Sequence, residues 1–271
     1  MSLSDKVVLV TGASSGIGEA LARHAAAQGA WVVLAARRED RVQRIASELE
    51  NQGRRALGLR CDVTSDSDVQ AVVERTAAEF GGIDVLLANA GFGVQGRIDE
   101  LGVDDYRRQF ETNVYGVIRS IQCALPALKH RRGAIGVVGS ANGYLSVPGW
   151  SAYCMSKHAV QSLCACIRHE LSPDGVSVTH LAPGFVESEF RKVDNQGRLQ
   201  EDVKDVVPSW LTMRTEPAAR AMLKAVIERR EEAVITLHAK VVVGLERHAP
   251  RLVSAALGVA GPLVRRFSKT V

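Results

Sequence analysis

Tyr153 and Lys157 stand four residues apart in the stretch SAYCMSKHAV, residues 151–160. On a helix that spacing puts a phenol and an ammonium on one face, one turn apart. A free phenol has a pKa of about 10 and keeps its proton at neutral pH. A neighbouring ammonium favours the phenolate. The pair therefore has the chemistry of a proton donor and its activator. Alone, the spacing proves little: a lone helical tyrosine is most often packing, and a lone lysine a solvated charge. Ser140, thirteen residues upstream, adds a hydroxyl, and Asn113 adds an amide. Whether the four side chains meet depends on the elements that carry them.

Those elements alternate. Short apolar runs at 7–10, 31–36, 56–59, 85–88, 134–138, 176–181 and 233–237 have the pattern of strands buried on both faces. Helix-period segments lie between them, starting at Ile17 and continuing over 41–52, 65–80, 104–130, 152–171 and 218–230. Ser65 is the expected N-cap of the third helix, with Asp66 and Asp68 in its first turn. The economical arrangement is one α/β domain over residues 1–237, a parallel sheet with helices on both faces. Asn113 then falls in the long helix 104–130, Ser140 just beyond the fifth strand, and Tyr153 and Lys157 in the helix that follows.

Residues 11–18 read TGASSGIG and join the first strand to the first helix. Gly12, Gly16 and Gly18 permit a sharp turn and close approach of a diphosphate to the backbone. The helix N-terminus adds free amides and a partial positive charge. The spacing is GxxxGxG rather than GxGxxG, so the context of strand and helix carries the nucleotide-binding reading. An acid at the end of the second strand would hold the ribose hydroxyls of NAD. This strand ends instead at Arg37 and Arg38, with no carboxylate before Glu39. An arginine there can fork onto a 2′-phosphate, and Ser14 can add its hydroxyl, so NADP(H) is expected over NAD(H).

With these motifs in order, the sequence resembles the short-chain dehydrogenase/reductase family over about residues 5–237. The carriers are TGASSGIG, Asp62 with Val63, Asn89-Ala90-Gly91, Asn113, Ser140, Tyr153 with Lys157, and Pro183-Gly184. The resemblance implies a Rossmann-type domain, sheet order 3-2-1-4-5-6-7, and a nicotinamide cofactor across the carboxyl edge of the sheet. It implies cofactor contacts from Gly12, Ser14, Ser15, Gly16, Ile17, Gly18, Arg37, Arg38, Asp62, Val63, Asn89, Ala90, Gly91, Tyr153, Lys157, Pro183, Gly184, Val186 and Ser188. The usual NNAG is ANAG here, and Ser188 replaces a frequent Thr while keeping its hydroxyl. Tyr153 is the expected acid and base for carbonyl–alcohol interconversion, with Lys157 lowering its pKa. Ser140 is expected to position the substrate oxygen, and Asn113 to hold a water of a proton relay. A homodimer or homotetramer is implied, formed through the helices of Asn113 and Tyr153, with Val117, Ile121, Leu163 and Ile167 as apolar outer positions. The competing reading is a nucleotide-binding sensor or scaffold without turnover.

Composition narrows the rest. Hydrophobic residues make up 46% of the 271, enough for a sizeable core. The net charge is +4, but residues 239–271 carry six basic side chains against Glu246, so the tail holds +5 and the remainder −1. A nucleic-acid-binding body is not expected. Cys61, Cys123, Cys154, Cys164 and Cys166 sit in apolar runs without ligand spacing, and read as buried thiols in a reduced compartment with no metal site. The N-terminus enters a strand pattern at once, with no signal peptide visible, so the cytoplasm is the expected location. Residues 185–215 lack periodicity and read as a functional or mobile segment, which the resemblance implies is the lid over the substrate. Its Phe185, Phe190, Val206, Val207, Trp210, Leu211 and Met213 suit a bulky apolar carbonyl or alcohol, steroid- or lipid-like.

The tail, 238–271, reads as an amphipathic helix with a basic edge, then Gly258, Gly261-Pro262 and a second short segment. Three readings stay open: docking on a subunit, resting on an anionic membrane surface, or covering the substrate entrance. Its longest charge-free run, 252–264, falls short of the roughly 18 residues a membrane span needs.

Overall fold

The computed structural model describes the backbone of residues 1–200, 202 and 207–267, with side chains through 258. Seven strands form one sheet in the order β3-β2-β1-β4-β5-β6-β7. They are β1 Val7–Thr11, β2 Trp31–Ala36, β3 Ala56–Arg60, β4 Val85–Ala88, β5 Ala134–Val138, β6 Ser177–Ala182 and β7 Glu232–Val234. Every pairing is parallel, with Leu9 beside Leu86 and Leu86 beside Ile135 in the central register. Alternate strand residues feed two cores. Val8, Val10, Val32 and Leu34 pack with helices α1 Gly16–Ala27, α2 Glu39–Asn51 and α7 Thr215–Ile227. Leu9, Val33, Leu86 and Ile135 pack on the other face, with α3 Asp66–Phe80, α5 Gly116–Arg131 and α6 Ser151–Leu171. Each fully buried Val or Leu contributes about 1.5–3 kcal/mol, so both faces of the sheet are pinned. Ser65 caps α3 as expected, its hydroxyl accepting from Asp68 N at 3.2 Å.

Four expectations need correction. The helix expected over 104–130 is two helices, α4 Val103–Phe110 and α5, joined by a π-turn at Glu111–Tyr115. Such a turn widens the helix locally and is frequent at functional sites. It holds Asn113. Val117 and Ile121 are not outer positions: both are buried in the second core, with Leu163 and Ile167 packed against it. The exposed large apolar side chains nearby are Tyr115 and Met155. Strand seven stops at Val234, because the Thr236 hydroxyl accepts from Ala239 N and starts α8 Leu237–His248. Finally, the tail breaks at Ala249 rather than at its glycines. Pro250 follows, a proline disfavours helical backbone in the residue before it, and Ala249 is at φ −144°, ψ 57°. A second helix, α9 Pro250–Phe267, runs on from there.

Candidate active site

Thr11 ends β1, and its hydroxyl accepts from Asn89 N and Ala90 N at 3.0 and 3.2 Å. The Asn89 amide donates back to Thr11 O and Gly12 O. The glycine turn is thus sewn onto the Asn89-Ala90-Gly91 segment. Gly12 sits at φ +66°, and a Cβ there would lie 2.7 Å from Ala90 Cα. On Gly18 a Cβ would lie 2.3 Å from Gly12 O, so no side chain fits at either position. Ile17 packs against the first core. Gly16 faces Ser188, whose Cβ would be 3.0 Å from an added one. Ser15 starts α1 without a side-chain cap bond, beside an open cleft lined by Ser14, Gly16, Arg41, Ser188 and Glu189.

The basic end of β2 divides. Arg38 donates to Ser14 Oγ at 2.9 and 3.1 Å, to Ser15 Oγ at 2.7 Å, and to Glu189 at 2.8 Å. Arg37 turns away and donates to Gly197 O. Arg41 takes its place, donating to Glu189 at 2.8 and 3.0 Å. Sequence reading missed Arg41, although it lies one helical turn beyond Arg38. Partial burial opposes ionisation of Glu189, but hydrogen bonds from Arg41 and Arg38 outweigh it and hold the carboxyl at about 2. Asp62 accepts from Thr64 N and its hydroxyl, while Val63 is buried against Gly116.

Tyr153, Ser156, Lys157, Val160 and Cys164 recur at three- and four-residue spacing along the buried stripe of α6. The stripe is apolar at its far end and polar where Lys157 reaches Val138, the last residue of β5. Ser140, capping the short turn Ala141–Gly143, accepts from Asn142 N at 3.1 Å, and its hydroxyl stands close enough to Tyr153 to favour the phenolate. Lys157 Nζ donates to Val138 O at 2.9 Å and lies 5.7 Å from the Tyr153 ring centre. Burial pushes the phenol up to about 12, against the pull of the Ser140 hydroxyl. Burial also lowers Lys157 to about 8. Burial thus favours the neutral form of both groups, which works against the expected depression of the tyrosine by the lysine.

Asn113 is 1% exposed. Its Oδ1 accepts from Phe92 N, and its Nδ2 donates to Phe92 O and Ser156 Oγ. Both amide protons are spent on protein, so a water could reach only the remaining lone pair of Oδ1. What the side chain does in the fold is clamp the 89–92 segment to α6; an added Cβ on Gly91 would come within 3.0 Å of it. Pro183 O accepts from Ala141 N at 2.8 Å, bringing Pro183-Gly184 beside the Ser140 turn. Val186 is buried and pairs with Met213.

The lid residues separate as well. Phe190 lies 5.4 Å from the Tyr153 ring, and Trp150, absent from the expected wall, 5.7 Å. Trp150 is signalled only by lying three residues before Tyr153. Met213 joins the first core, Phe185 stacks on His238, and Trp210 is 82% exposed. Val206 lies outside the described residues. Of the cysteines, Cys61, Cys154 and Cys164 are buried, Cys123 is half-buried, and Cys166 is exposed against expectation. Cys154 packs beneath the site, its sulfur accepting from Val147 N.

A parallel sheet in this order, a glycine turn and a buried Ser–Tyr–Lys group define a class. The chain belongs to the short chain dehydrogenase family, whose model matches residues 6–199. It is an oxidoreductase acting on CH–OH groups with a Rossmann-type nucleotide-binding domain. It is 36% identical over 241 residues to an 11-beta-hydroxysteroid dehydrogenase A of Sesamum indicum, covering 86% of this chain and 68% of that one. To the dehydrogenase/reductase SDR family member 7B of Danio rerio it is 35% identical, covering 86% and 78%. A short chain dehydrogenase/reductase from Burkholderia phymatum, solved with NAD, superposes with a TM-score of 0.83 at 26% identity, covering 93% and 96%. An alcohol dehydrogenase from Thermococcus sibiricus, complexed with 5-hydroxy-NADP, gives 0.75 at 30%, covering 84% and 95%. No described helix is long and apolar enough to cross a membrane.

Proposed function

We propose that the protein is an NADP(H)-dependent oxidoreductase that interconverts a carbonyl and a secondary alcohol on a bulky apolar substrate. The observation that carries this is a buried phenol with the Ser140 hydroxyl near it, Lys157 beside its ring, and Phe190 and Trp150 around it. When bound, the cofactor supplies or accepts the hydride. Tyr153 gives its proton to the substrate oxygen as charge develops there, and takes it back in oxidation. Ser140 holds that oxygen within reach of the phenol. Lys157 lies on the same stripe, where its charged form favours the phenolate left after transfer. Asn113 keeps Gly91 and Phe92 flat against this group.

The residues present suit the dinucleotide. The glycine turn leaves no side chain between strand and helix, and Gly16, Ser188, Ser14 and Ser15 line the open cleft above it. Arg38 on Ser14 and Ser15, with Arg41 next to it, favours a phosphate over a bare ribose hydroxyl. Dissociation constants for NADPH and NADH test this. Arg38→Ser should cost NADPH roughly 10- to 100-fold and NADH little, the worth of a charge-assisted contact. Tighter NADH binding by the native chain would reverse the assignment.

The apolar aromatic wall and the hydroxysteroid dehydrogenase relative favour steroid- or lipid-like substrates. A screen of NADPH consumption over steroids, retinoids, long-chain ketones and quinones tests the class, and activity confined to small sugars would overturn it. The alternative of a silent nucleotide sensor is disfavoured because Asn113, Ser140, Tyr153 and Lys157 are all present. A homo-oligomer and a cytoplasmic location belong to the same proposal. Residues 1–237 are taken as the catalytic domain. For the extension, 238–271, the exposed Leu252 on α9 favours an anionic membrane surface as a second contact. Flotation with anionic vesicles, full chain against a chain ending at Ala249, tests that contact.

A further inference from the structure

Helix α8 belongs to the extension, yet it is bonded to both loops that flank the candidate active site. At its first turn, His238 Nε2 accepts from Phe185 N at 2.9 Å and lies 3.1 Å from Thr236 Oγ1. The imidazole also stacks on the Phe185 ring at 5.3 Å. A Cβ on Gly184 would lie 2.2 Å from His238 Nε2 and 2.4 Å from Thr236 Oγ1, so the 183–185 backbone rests directly on this turn. At its last turn, Arg247 forks onto both oxygens of Glu232 at 2.8 and 2.7 Å and lies 4.9 Å over the Tyr144 ring. Tyr144 donates to Glu232 and sits 2.9 Å from His180 Nδ1. The far side of the His180 ring presses on Gly139, where an added Cβ would lie 2.0 Å from Nε2.

Tyr144 closes the turn that Ser140 begins, and Gly139 precedes Ser140. The two loops also meet each other, Ala141 N donating to Pro183 O at 2.8 Å. Between the polar contacts, Ala239 and Val243 of α8 are buried against Ala141 and Leu145. One face of α8 is therefore spent on the Ser140 turn and the 183–185 turn. These are the segments that set where the Ser140 hydroxyl meets Tyr153.

We infer that His238 and Arg247 are positioning residues: α8 holds the Ser140 turn and the Pro183–Phe185 turn in register with Tyr153. This rests on the reading of Ser140 and Tyr153 as the reacting groups. The chain's extension is then part of the active-site scaffold, acting through its first helix. Displacing a catalytic group by an ångström costs far more rate than binding.

The test compares native chain, His238→Leu, His238→Gln, Arg247→Ala and Arg247→Lys. Three quantities are read: amide hydrogen exchange, NADPH affinity by fluorescence, and turnover of 9,10-phenanthrenequinone with NADPH. Expected for His238→Leu is faster exchange over 183–187, and for Arg247→Ala over 139–147, with exchange over 7–20 unchanged. NADPH affinity should stay within about threefold while kcat falls about tenfold in each. Gln keeps an acceptor for Phe185 N and Lys keeps a cation for Glu232, so both should recover most of the loss. Native-like exchange in both loops of His238→Leu and Arg247→Ala would overturn the inference, and so would a uniform rise across the chain. A native chain that turns over no carbonyl defeats the oxidoreductase reading instead, and exchange still decides the role of α8.

Discussion

Tyr144 and Tyr153 lie nine residues apart, on either side of the same bend; Tyr144 is half-buried and Tyr153 buried, and both phenols are pushed above their ordinary pKa. Their partners differ. Tyr144 is raised first by burial and then by the Glu232 carboxylate that takes its hydrogen bond. Its proton is committed, and Arg247 above the ring keeps that carboxylate in place. Tyr153 is raised by burial to about 12, and its polar neighbour is the Ser140 hydroxyl, which pulls the other way. Burial made both phenols weak acids. The partner decides which proton can move: a carboxylate fixes one, while a hydroxyl and a lysine leave the other free to be given to a new oxygen.

Tyr153→Phe breaks the comparison most directly. It should retain NADPH binding and lose about 10²- to 10⁴-fold in kcat, the range for removing a general acid. Tyr144→Phe should leave kcat within about tenfold but destabilise the fold by about 1 kcal/mol, since Glu232 keeps Arg247 yet loses a part-buried donor. Steady-state kinetics and thermal unfolding on the two variants separate the roles. Equal losses of turnover would mean that the partner does not distinguish the phenols.

Lys157 sharpens the same contrast through pH. Its folded pKa of about 8 lies below the free value of 10.5, because burial penalises the ammonium. Between those values the unfolded chain holds a proton that the folded chain has released. Stability therefore rises with pH across that window, and the full penalty is present below about 8. It is on the order of 3 kcal/mol. Lys157→Met lacks the penalty, so its stability advantage over the native chain should shrink steadily from about pH 8 toward pH 10. Denaturant titrations at several pH values measure the gap. A gap independent of pH would show that burial does not lower the Lys157 pKa in the folded chain.

The outline of this site was legible in the chain because local rules fix it. Seven apolar runs, a glycine turn and a four-residue spacing on one helix leave few arrangements for Ser140, Tyr153 and Lys157. What escaped depends on contacts between distant segments. The π-turn that holds Asn113 has a helical pattern on both sides and no local signature. Trp150 and Arg41 matter through what they face, Tyr153 and Glu189, and the latter is 148 residues from Arg41. The spacing of Lys157 from Tyr153 is visible in a sequence, and the burial that opposes the charge of both is not. In the tail, the glycines suggested a break, but the proline stiffening the residue before it decided where the helix ends.

A second carboxylate extends the comparison from tyrosines to arginines. Glu232 sits at a sheet edge with Tyr144 and Arg247 fixed on it, whereas Glu189 sits on the short turn Glu189–Lys192 above the glycine turn. It engages Arg38 and Arg41, the cations proposed to receive a 2′-phosphate. A phosphate must displace or share this carboxylate, so Glu189 works against cofactor binding as Glu232 works against ionisation of Tyr144. The ion pairs are about one-third exposed, so the opposing term is small. Glu189→Gln should tighten NADPH binding by about two- to fivefold, and NADH binding less. The gain should shrink with added salt, which screens the competing charge. Fluorescence titrations of both dinucleotides at two ionic strengths read the difference. Weaker NADPH binding in this variant would instead make Glu189 a support that orients the arginines, and would put the two carboxylates in the same role.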